Sequence, residues 1–162
     1  MYTKINEKDS AMKLGAIYSK EKTTFTLFSP VADSVFVIFY DKGNDSAETG
    51  RLEMVRGEGE LRSIFSATAE GNLDGVYYTY EVHTSDGTFS SHDPYARACG
   101  VNGHRSMVID LSKTDPDGFA DEDRPKLADP MSMVITEVSI VDVSAGASAH
   151  SMYPGKFKAF TE

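Results

Sequence analysis

One run of seven residues limits the possible folds of this chain more than any other part of its sequence. Residues 76–82 read Val-Tyr-Tyr-Thr-Tyr-Glu-Val, and β-branched and aromatic side chains of this kind favour a β-strand. Tyr78, Tyr80 and Val82 would point to one face of that strand, and Tyr77 to the other. Because strand aromatics more often pack in a core than lie on a surface, the run predicts that Tyr78 and Tyr80 are buried.

Turn signals and further short β-rich runs surround this strand. Gly75 precedes it, and Asp86-Gly87 follows it as the dipeptide of a tight hairpin. The other β-rich runs are residues 23–28, 35–40, 51–55, 61–67 and 88–90. No segment of helical period longer than two turns occurs before residue 115. We therefore predict an all-β fold, an immunoglobulin-like antiparallel β-sandwich.

The composition changes after the last of these runs. Residues 113–132 are rich in Asp, Pro, Lys and Gly, which is typical of a connector. Residues 133–143 are apolar and β-branched, and they predict one extra strand. The predicted organisation is an amino-terminal tail, a sandwich, a connector, and an extra strand with a tail: residues 1–11, 12–112, 113–132 and 133–162.

Composition and charge exclude several classes of function. The 162 residues carry a net charge of -9, so we expect neither nucleic acid nor an anionic membrane surface as a partner. No stretch approaches the roughly 20 apolar residues of a membrane span. The sequence begins without the apolar segment of a signal peptide, which favours a cytoplasmic location; a mature secreted fragment would have the same sequence features, so that alternative stays open. Cys99 is the only cysteine, so the fold has no internal disulfide, and we expect a buried, inert thiol.

The sequence predicts no catalytic or metal site of its own. The four histidines are scattered without metal-ligand spacing, so neither a metal nor another cofactor is expected. Most acidic residues lie in turns or in the connector, where solvation explains them. Glu137 and Asp142 are five residues apart, which places them on opposite faces of the predicted strand. They are therefore a poor pair for acid–base chemistry.

Four segments resemble a known group of enzymes, the type I pullulanases of glycoside hydrolase family 13. Residues 93–111 resemble the segment that joins their amino-terminal β-sandwich to the catalytic barrel. Residues 14–19 and 71–82 resemble parts of a carbohydrate-binding module of family 48. Residues 135–144 resemble the first strand of the barrel, although several of its large and polar side chains are replaced.

This resemblance implies a carbohydrate setting without catalysis. The family removes α-1,6 branches from starch, glycogen and pullulan with carboxylates on later barrel strands, whereas this sequence stops at Glu162. We therefore expect a truncated protein that is no enzyme on its own and serves as an accessory module, which either packs against a catalytic barrel or binds α-glucan weakly. Phe28 and Phe65 stand where the module usually has tryptophan. Together with Tyr77, they are the candidate carbohydrate contacts, since flat aromatic faces stack on sugar rings.

Two alternative functions stay open at this stage. The chain is either one piece of a split α-1,6-glucosidase that needs a separate catalytic barrel, or a stand-alone protein-interaction domain. In the second case the predicted strand at residues 133–143 would pair with the sheet edge of a second chain and form a dimer.

Overall fold

A computed structural model describes residues 13–123 and 126–161 of the chain. The chain divides into two compact units, one that extends to Asp117 and one that begins at Gly118. The tail predicted for residues 1–11 lies outside the described residues. All strands of the described residues belong to the first unit, where they form two antiparallel sheets. The predicted all-β antiparallel sandwich is therefore confirmed.

The smaller sheet has four strands in the order β1-β2-β6-β5. They are β1 (Gly15–Tyr18), β2 (Lys22–Phe28), β5 (Val55–Arg56) and β6 (Ile64–Glu70). β2 and β6 pair along their whole length, from Lys22 opposite Glu70 to Phe28 opposite Ile64. Phe25 and Leu27 face the core from β2, so Phe28 points to the outer face of this sheet.

The larger sheet has six strands: five follow the order β4-β3-β7-β10-β9, and the sixth, β8, pairs with β7. They are β3 (Ser34–Tyr40), β4 (Glu48–Glu53), β7 (Tyr77–Thr84), β8 (Gly87–Ser91), β9 (Ala98–Cys99) and β10 (Ser106–Met107). β8 and β10 share the edge of β7 that does not face β3. The predicted hairpin at Asp86-Gly87 joins β7 to β8, and the chain changes sheets between β4 and β5.

The core lies between the two sheets and is built around aromatic rings. The ring centroid of Phe25 lies 5.0 Å from that of Tyr78 and 5.8 Å from that of Phe39, in edge-to-face geometry. Tyr78 and Tyr80 are 0% and 1% exposed, which confirms their prediction as core residues. Burial of each large side chain contributes about 1.5–3 kcal/mol to the stability of the folded state.

A buried carboxylate connects β7 to the segment that follows β8. Asp93 is 2% exposed, and its Oδ2 accepts hydrogen bonds from the hydroxyls of Tyr78 and Tyr80 at 2.7 and 3.3 Å. Its Oδ1 accepts from the backbone N–H of Tyr95, and its own N–H donates to Ser106 Oγ on β10. Burial, followed by the charge of Asp93, raises the pKa of both tyrosine hydroxyls, so they remain protonated donors.

The carboxyl end of the first unit is held by a second polar cluster. Lys113 Nζ lies 2.5 Å from Asp74 Oδ2, and the backbone N–H of Asp110 donates to Asp74 Oδ1 at 2.8 Å. Asn72 Oδ1 accepts hydrogen bonds from the Tyr18 hydroxyl and from the N–H of Asp74. These contacts join β1, the turn before β7 and the residues after β10.

The extra strand predicted at residues 133–143 is wrong. Met133 and Ser139 have extended backbone angles, but residues 133–139 pair with no strand of the described chain. A one-turn helix, α1 (Ile140–Ser144), follows, and the Ser139 hydroxyl caps it by accepting from the N–H of Asp142. β-Branched residues favour an extended backbone, but a strand also needs a neighbouring strand, and a serine before a short acidic turn favours a helix start.

The expectation of a buried thiol at Cys99 is also wrong. Cys99 is exposed, because it lies on the two-residue strand β9 at an edge of the larger sheet. Its partner across the strand pair, Ser106, is buried. The apolar neighbours of Cys99 in the sequence therefore did not indicate the exposure of its side chain.

Candidate functional site

Tyr77, one of the three candidate carbohydrate contacts, lies on the outer face of the larger sheet. It is half-buried and sits opposite Tyr40 of β3. A Cβ atom on Gly43 would lie 3.1 Å from a ring carbon of Tyr77, so the backbone of the loop after β3 covers part of the ring. One portion of the Tyr77 side chain is therefore open to a ligand, and the rest is used in packing.

Arg105 fastens the same loop over the sheet. Its guanidinium carbon lies 3.5 Å from the ring centroid of Tyr40, and its Nη atoms donate to Lys42 O, Ser46 O and Ser46 Oγ at 2.7–2.9 Å. Such a cation–π contact together with hydrogen bonds to carbonyls makes a rigid attachment. One face of the Tyr40 ring is therefore occupied from within the chain.

The other end of this outer face carries a network of charges around Phe36. The guanidinium of Arg51 lies 5.8 Å from the Phe36 ring centroid, and the His83 ring lies 5.5 Å from it. Arg51 forms ion pairs with Glu48 at 2.9 Å and with Glu81 at 3.4 Å. Hydrogen bonding from Arg51 lowers the pKa of Glu48, and Glu48 in turn raises the pKa of Arg51. The Phe36 ring is thus flanked by Arg51 and His83, and the charge of Arg51 is paired with Glu48 and Glu81.

Phe65 is not available to a carbohydrate, and its prediction as a contact is wrong. Its side chain is 1% exposed and belongs to the core. It pairs with Leu27, which also faces the core, and the guanidinium of Arg56 lies 4.7 Å from its ring centroid. A ring that is packed in this way has no free face for a sugar.

Phe28 is the most exposed of the three candidates. Its side chain is 51% exposed at the end of β2, on the outer face of the smaller sheet. The structure does not bring it to Tyr77. Residues 29–33 connect Phe28 to Ser34, which pairs with His83, whereas Tyr77 pairs with Tyr40 at the other end of the same strand pair. Six residues of strand correspond to about 20 Å, so the two rings belong to separate surfaces.

The two acidic residues weighed as a catalytic pair lie in different parts of the second unit. Glu137 lies in the unpaired extended segment and Asp142 in α1. Within the described part of the chain, no three His, Cys, Asp or Glu side chains are grouped to hold a metal ion. None of the helices in residues 13–123 and 126–161 has the length and apolar character that a membrane span requires.

The sequence did not reveal the roles of two residues, one that holds the core together and one that holds the loop after β3. Asp93 and Arg105 both lie in the run that resembles the pullulanase segment, but neither was assigned a role. Asp93-Pro94 reads as a turn, and an arginine near a glycine-rich bend reads as solvated. Their contacts with Tyr78 and Tyr40 involve residues that are distant in the sequence, and no local pattern reveals them.

Comparison with known protein families shows which family the β-sandwich belongs to. The family model described as carbohydrate-binding module 48 (isoamylase N-terminal domain) matches residues 13–96. The chain belongs to the carbohydrate-binding module 48 family. The matched residues of this family 48 module include β1 to β8, the whole of the smaller sheet and most of the larger one.

Relatives of the family 48 module are pullulanases. The pullulanase of Bacillus subtilis (strain 168) is 28% identical over 151 residues, which are 93% of this chain and 20% of that protein. The solved structure of pullulanase from Bacillus acidopullulyticus is 35% identical with a TM-score of 0.83, and the match covers 93% of this chain and 18% of that one. A Paenibacillus barengoltzii pullulanase, solved in complex with maltohexaose and α-cyclodextrin, is 33% identical with a TM-score of 0.83 over 93% of this chain and 23% of that one. The chain thus spans about a fifth of the length of these relatives.

Proposed function

We propose that this chain is a non-catalytic, α-glucan-binding accessory module of a pullulanase-like debranching protein. The observation that carries the proposal is the match of the family 48 model to residues 13–96, which coincide with the greater part of the sandwich. Relatives with the same fold are pullulanases, and one of them was solved with maltohexaose and α-cyclodextrin bound. A neutral glucan also suits an acidic protein, because binding requires no positive surface.

The chemistry of the described residues favours binding over hydrolysis. A retaining glycosidase needs two carboxyl groups about 5 Å apart across the scissile bond. The acidic residues with defined contacts instead serve the fold, as Asp93 does in the core and Asp74 at the end of the first unit. We therefore expect the purified chain to release no reducing sugar from pullulan. Release that is abolished by Glu137→Gln would contradict this assignment.

Affinity electrophoresis tests the binding function directly. The full chain is run on native gels with and without glycogen or pullulan, next to a protein that does not bind glucans. We expect both polysaccharides to retard the chain and to leave the control protein unchanged. Equal mobility of the chain in all gels would overturn the proposed function.

A second candidate function concerns the second unit and a protein partner. Val134 and Ile135 are 92% and 80% exposed in the unpaired segment of residues 133–139. An extended apolar segment without a neighbouring strand suits pairing with a sheet edge, either in a catalytic barrel or in a second copy of the chain. If the barrel is the partner, the chain is one piece of a split α-1,6-glucosidase, and activity appears only when the barrel is added.

We also propose a cytoplasmic location. The exposed thiol of Cys99 suits the reducing conditions of that compartment.

A further inference from the structure

We propose that an α-glucan chain binds the outer face of the smaller sheet, along a strip of apolar side chains that ends in a cleft. The strip consists of Phe28, Ile64, Leu61 and Val55. The inference rests on the proposed function and specifies which surface performs it. It places the ligand on the sheet opposite to the one that carries Tyr77.

Strand register brings the four side chains of the strip together. Phe28 lies directly opposite Ile64. The N–H of Gly57 donates to Ile64 O at 2.8 Å, and a Cβ on Gly57 would lie 2.9 Å from the Cβ of Leu61. Leu61 therefore covers Gly57 beside Ile64, and Val55 follows two residues earlier on the same strand edge. Across three neighbouring strands, the strip is about 10 Å wide.

The Phe28 ring is free in a way that the rings of the larger sheet are not. Phe28 is 51% exposed, and no aromatic ring or cationic group of residues 13–123 and 126–161 stacks on it. Tyr40, in contrast, is covered by Arg105, and Phe36 is flanked by Arg51 and His83. Since stacking needs an open ring face, Phe28 is the better platform for a pyranose ring.

Beyond Phe28 and Ile64, the side chains of β2 and β6 on this face carry hydroxyl groups, whereas the charged Glu60 and Arg62 flank Leu61. The next two pairs of β2 and β6 on this face are Thr26 with Ser66 and Thr24 with Thr68. Thr26 is buried, and the hydroxyl oxygens of Thr24 and Thr68 lie 3.2 Å apart. Ser66 and Thr68 are exposed. Charged residues make up 25% of the chain, but on these strands they return only at the far end of the pair. The exposed ring of Phe28 and the hydroxyls of Ser66 and Thr68 suit a neutral polyol, which binds through apolar ring faces and hydrogen bonds.

A cleft of about 500 Å³ continues the strip past β5. Val55 belongs to both, and Asp33, Glu53 and Arg56 also line the cleft. Arg56 is held in place by donating to Ala32 O and to backbone carbonyls nearby. The carboxylates of Asp33 and Glu53, on the other hand, form no ion pair and accept no hydrogen bond within the described part of the chain. They are therefore open to sugar hydroxyls, and such charge-assisted hydrogen bonds are strong.

Variants of the full chain on native gels with glycogen test this surface. Phe28→Ala removes the ring, Phe28→Tyr keeps it, and Glu53→Gln removes one carboxylate charge. We expect Phe28→Ala to weaken glycogen binding about fivefold to tenfold, which is the effect of losing one stacked ring. Glu53→Gln should weaken it by a smaller factor, and Phe28→Tyr should retain it. Phe157→Ala is a matched control, since Phe157 is an exposed phenylalanine of the second unit.

The outcomes separate this inference from the proposed function. Circular dichroism first establishes that each variant is folded, as expected for a change at a half-exposed side chain. If glycogen retards the wild type, Phe28→Ala and Phe157→Ala equally, the strip is wrong and the proposed function stands. Loss of binding in Tyr77→Ala alone would then assign the ligand to the larger sheet. If glycogen does not retard the wild type, both the proposed function and the strip are overturned.

Discussion

The guanidinium of Arg105 lies over the ring of Tyr40, with 3.5 Å between the guanidinium carbon and the ring centroid. The same side chain donates to the backbone of the loop at residues 42–46. Gly43 of this loop meets Gly100 so closely that a Cβ on either glycine would lie within 3 Å of the other backbone. The loop after β3 and the segment before β10 are therefore packed as one piece, with Arg105 as the attachment.

Replacement of Arg105 should release this loop. Arg105→Ala removes three hydrogen bonds and one cation–π contact, and we expect a loss of about 2 kcal/mol in the free energy of unfolding. Urea denaturation measures the loss, and hydrogen exchange should be faster at residues 42–46. Arg97→Ala is the control, because Arg97 is exposed on the same segment. Unchanged exchange in the loop would show that Arg105 does not hold it.

Asp93 should be essential to the core, although it is an acidic residue. The hydroxyls of Tyr78 and Tyr80 both donate hydrogen bonds to the Asp93 carboxylate. Asp93→Asn removes the negative charge of this acceptor, and we expect the free energy of unfolding to fall by about 2–3 kcal/mol. Tyr78→Phe should cost less, since one donor is lost and Tyr80 still donates. Asp41→Asn, at an exposed loop position, should change stability little. Equal stability of the Asp93 and Asp41 variants contradicts the role of the buried carboxylate.

Local sequence patterns predicted the parts of the fold that local chemistry determines. Alternation of apolar residues placed Tyr78 and Tyr80 in the core, because the strand period depends only on neighbouring residues. Phe28 and Phe65 show the limit of such patterns. The two phenylalanines look alike in sequence, but Phe65 pairs with Leu27 and faces the core, whereas Phe28 follows Leu27 and faces outward. The register between β2 and β6 determines which of the two rings is buried, and the sequence of one strand alone does not specify that register.

The same limit explains the error at residues 133–143. Their β-branched composition indicates an extended backbone, and the backbone of Met133 and Ser139 is indeed extended. Whether an extended segment becomes a strand depends on a partner, which the segment itself does not specify. The candidate sites were predicted less well than the fold, because exposure of a ring depends on what packs over it.

The pair of Lys113 and Asp74 should make stability depend on pH in the acidic range. The hydrogen bond from Lys113, followed by that from the Asp110 N–H, lowers the pKa of Asp74 below its usual value near 3.8. A carboxyl group with a lowered pKa in the folded state stabilises it above the unfolded pKa, and this contribution is lost as the pH falls through the folded pKa. We therefore expect stability to decline below about pH 4.

Substitution of Asp74 tests that pH dependence. Asp74→Asn keeps an acceptor for the Asp110 N–H but cannot titrate, so the decline in unfolding free energy below about pH 4 should become shallower. Urea denaturation at a series of pH values from neutral to acidic measures the slope. Asp41→Asn is again the control and should leave the slope unchanged. A wild-type slope in Asp74→Asn would mean that other carboxyl groups dominate the acid response.

Finally, the unpaired segment at residues 133–139 should cause the chain to self-associate when no other partner is present. Four of its seven side chains are apolar and exposed, those of Met133, Val134, Ile135 and Val138. Its backbone N–H and C=O groups have no strand to pair with among the described residues. Static light scattering at two protein concentrations should show an apparent mass that rises with concentration. Ile135→Lys should abolish the rise, whereas Val31→Lys should not, although Val31 is 75% exposed and Ile135 is 80% exposed. A wild-type mass that stays at the monomer value at both concentrations rules out the dimer and leaves a separate catalytic domain as the partner of this segment.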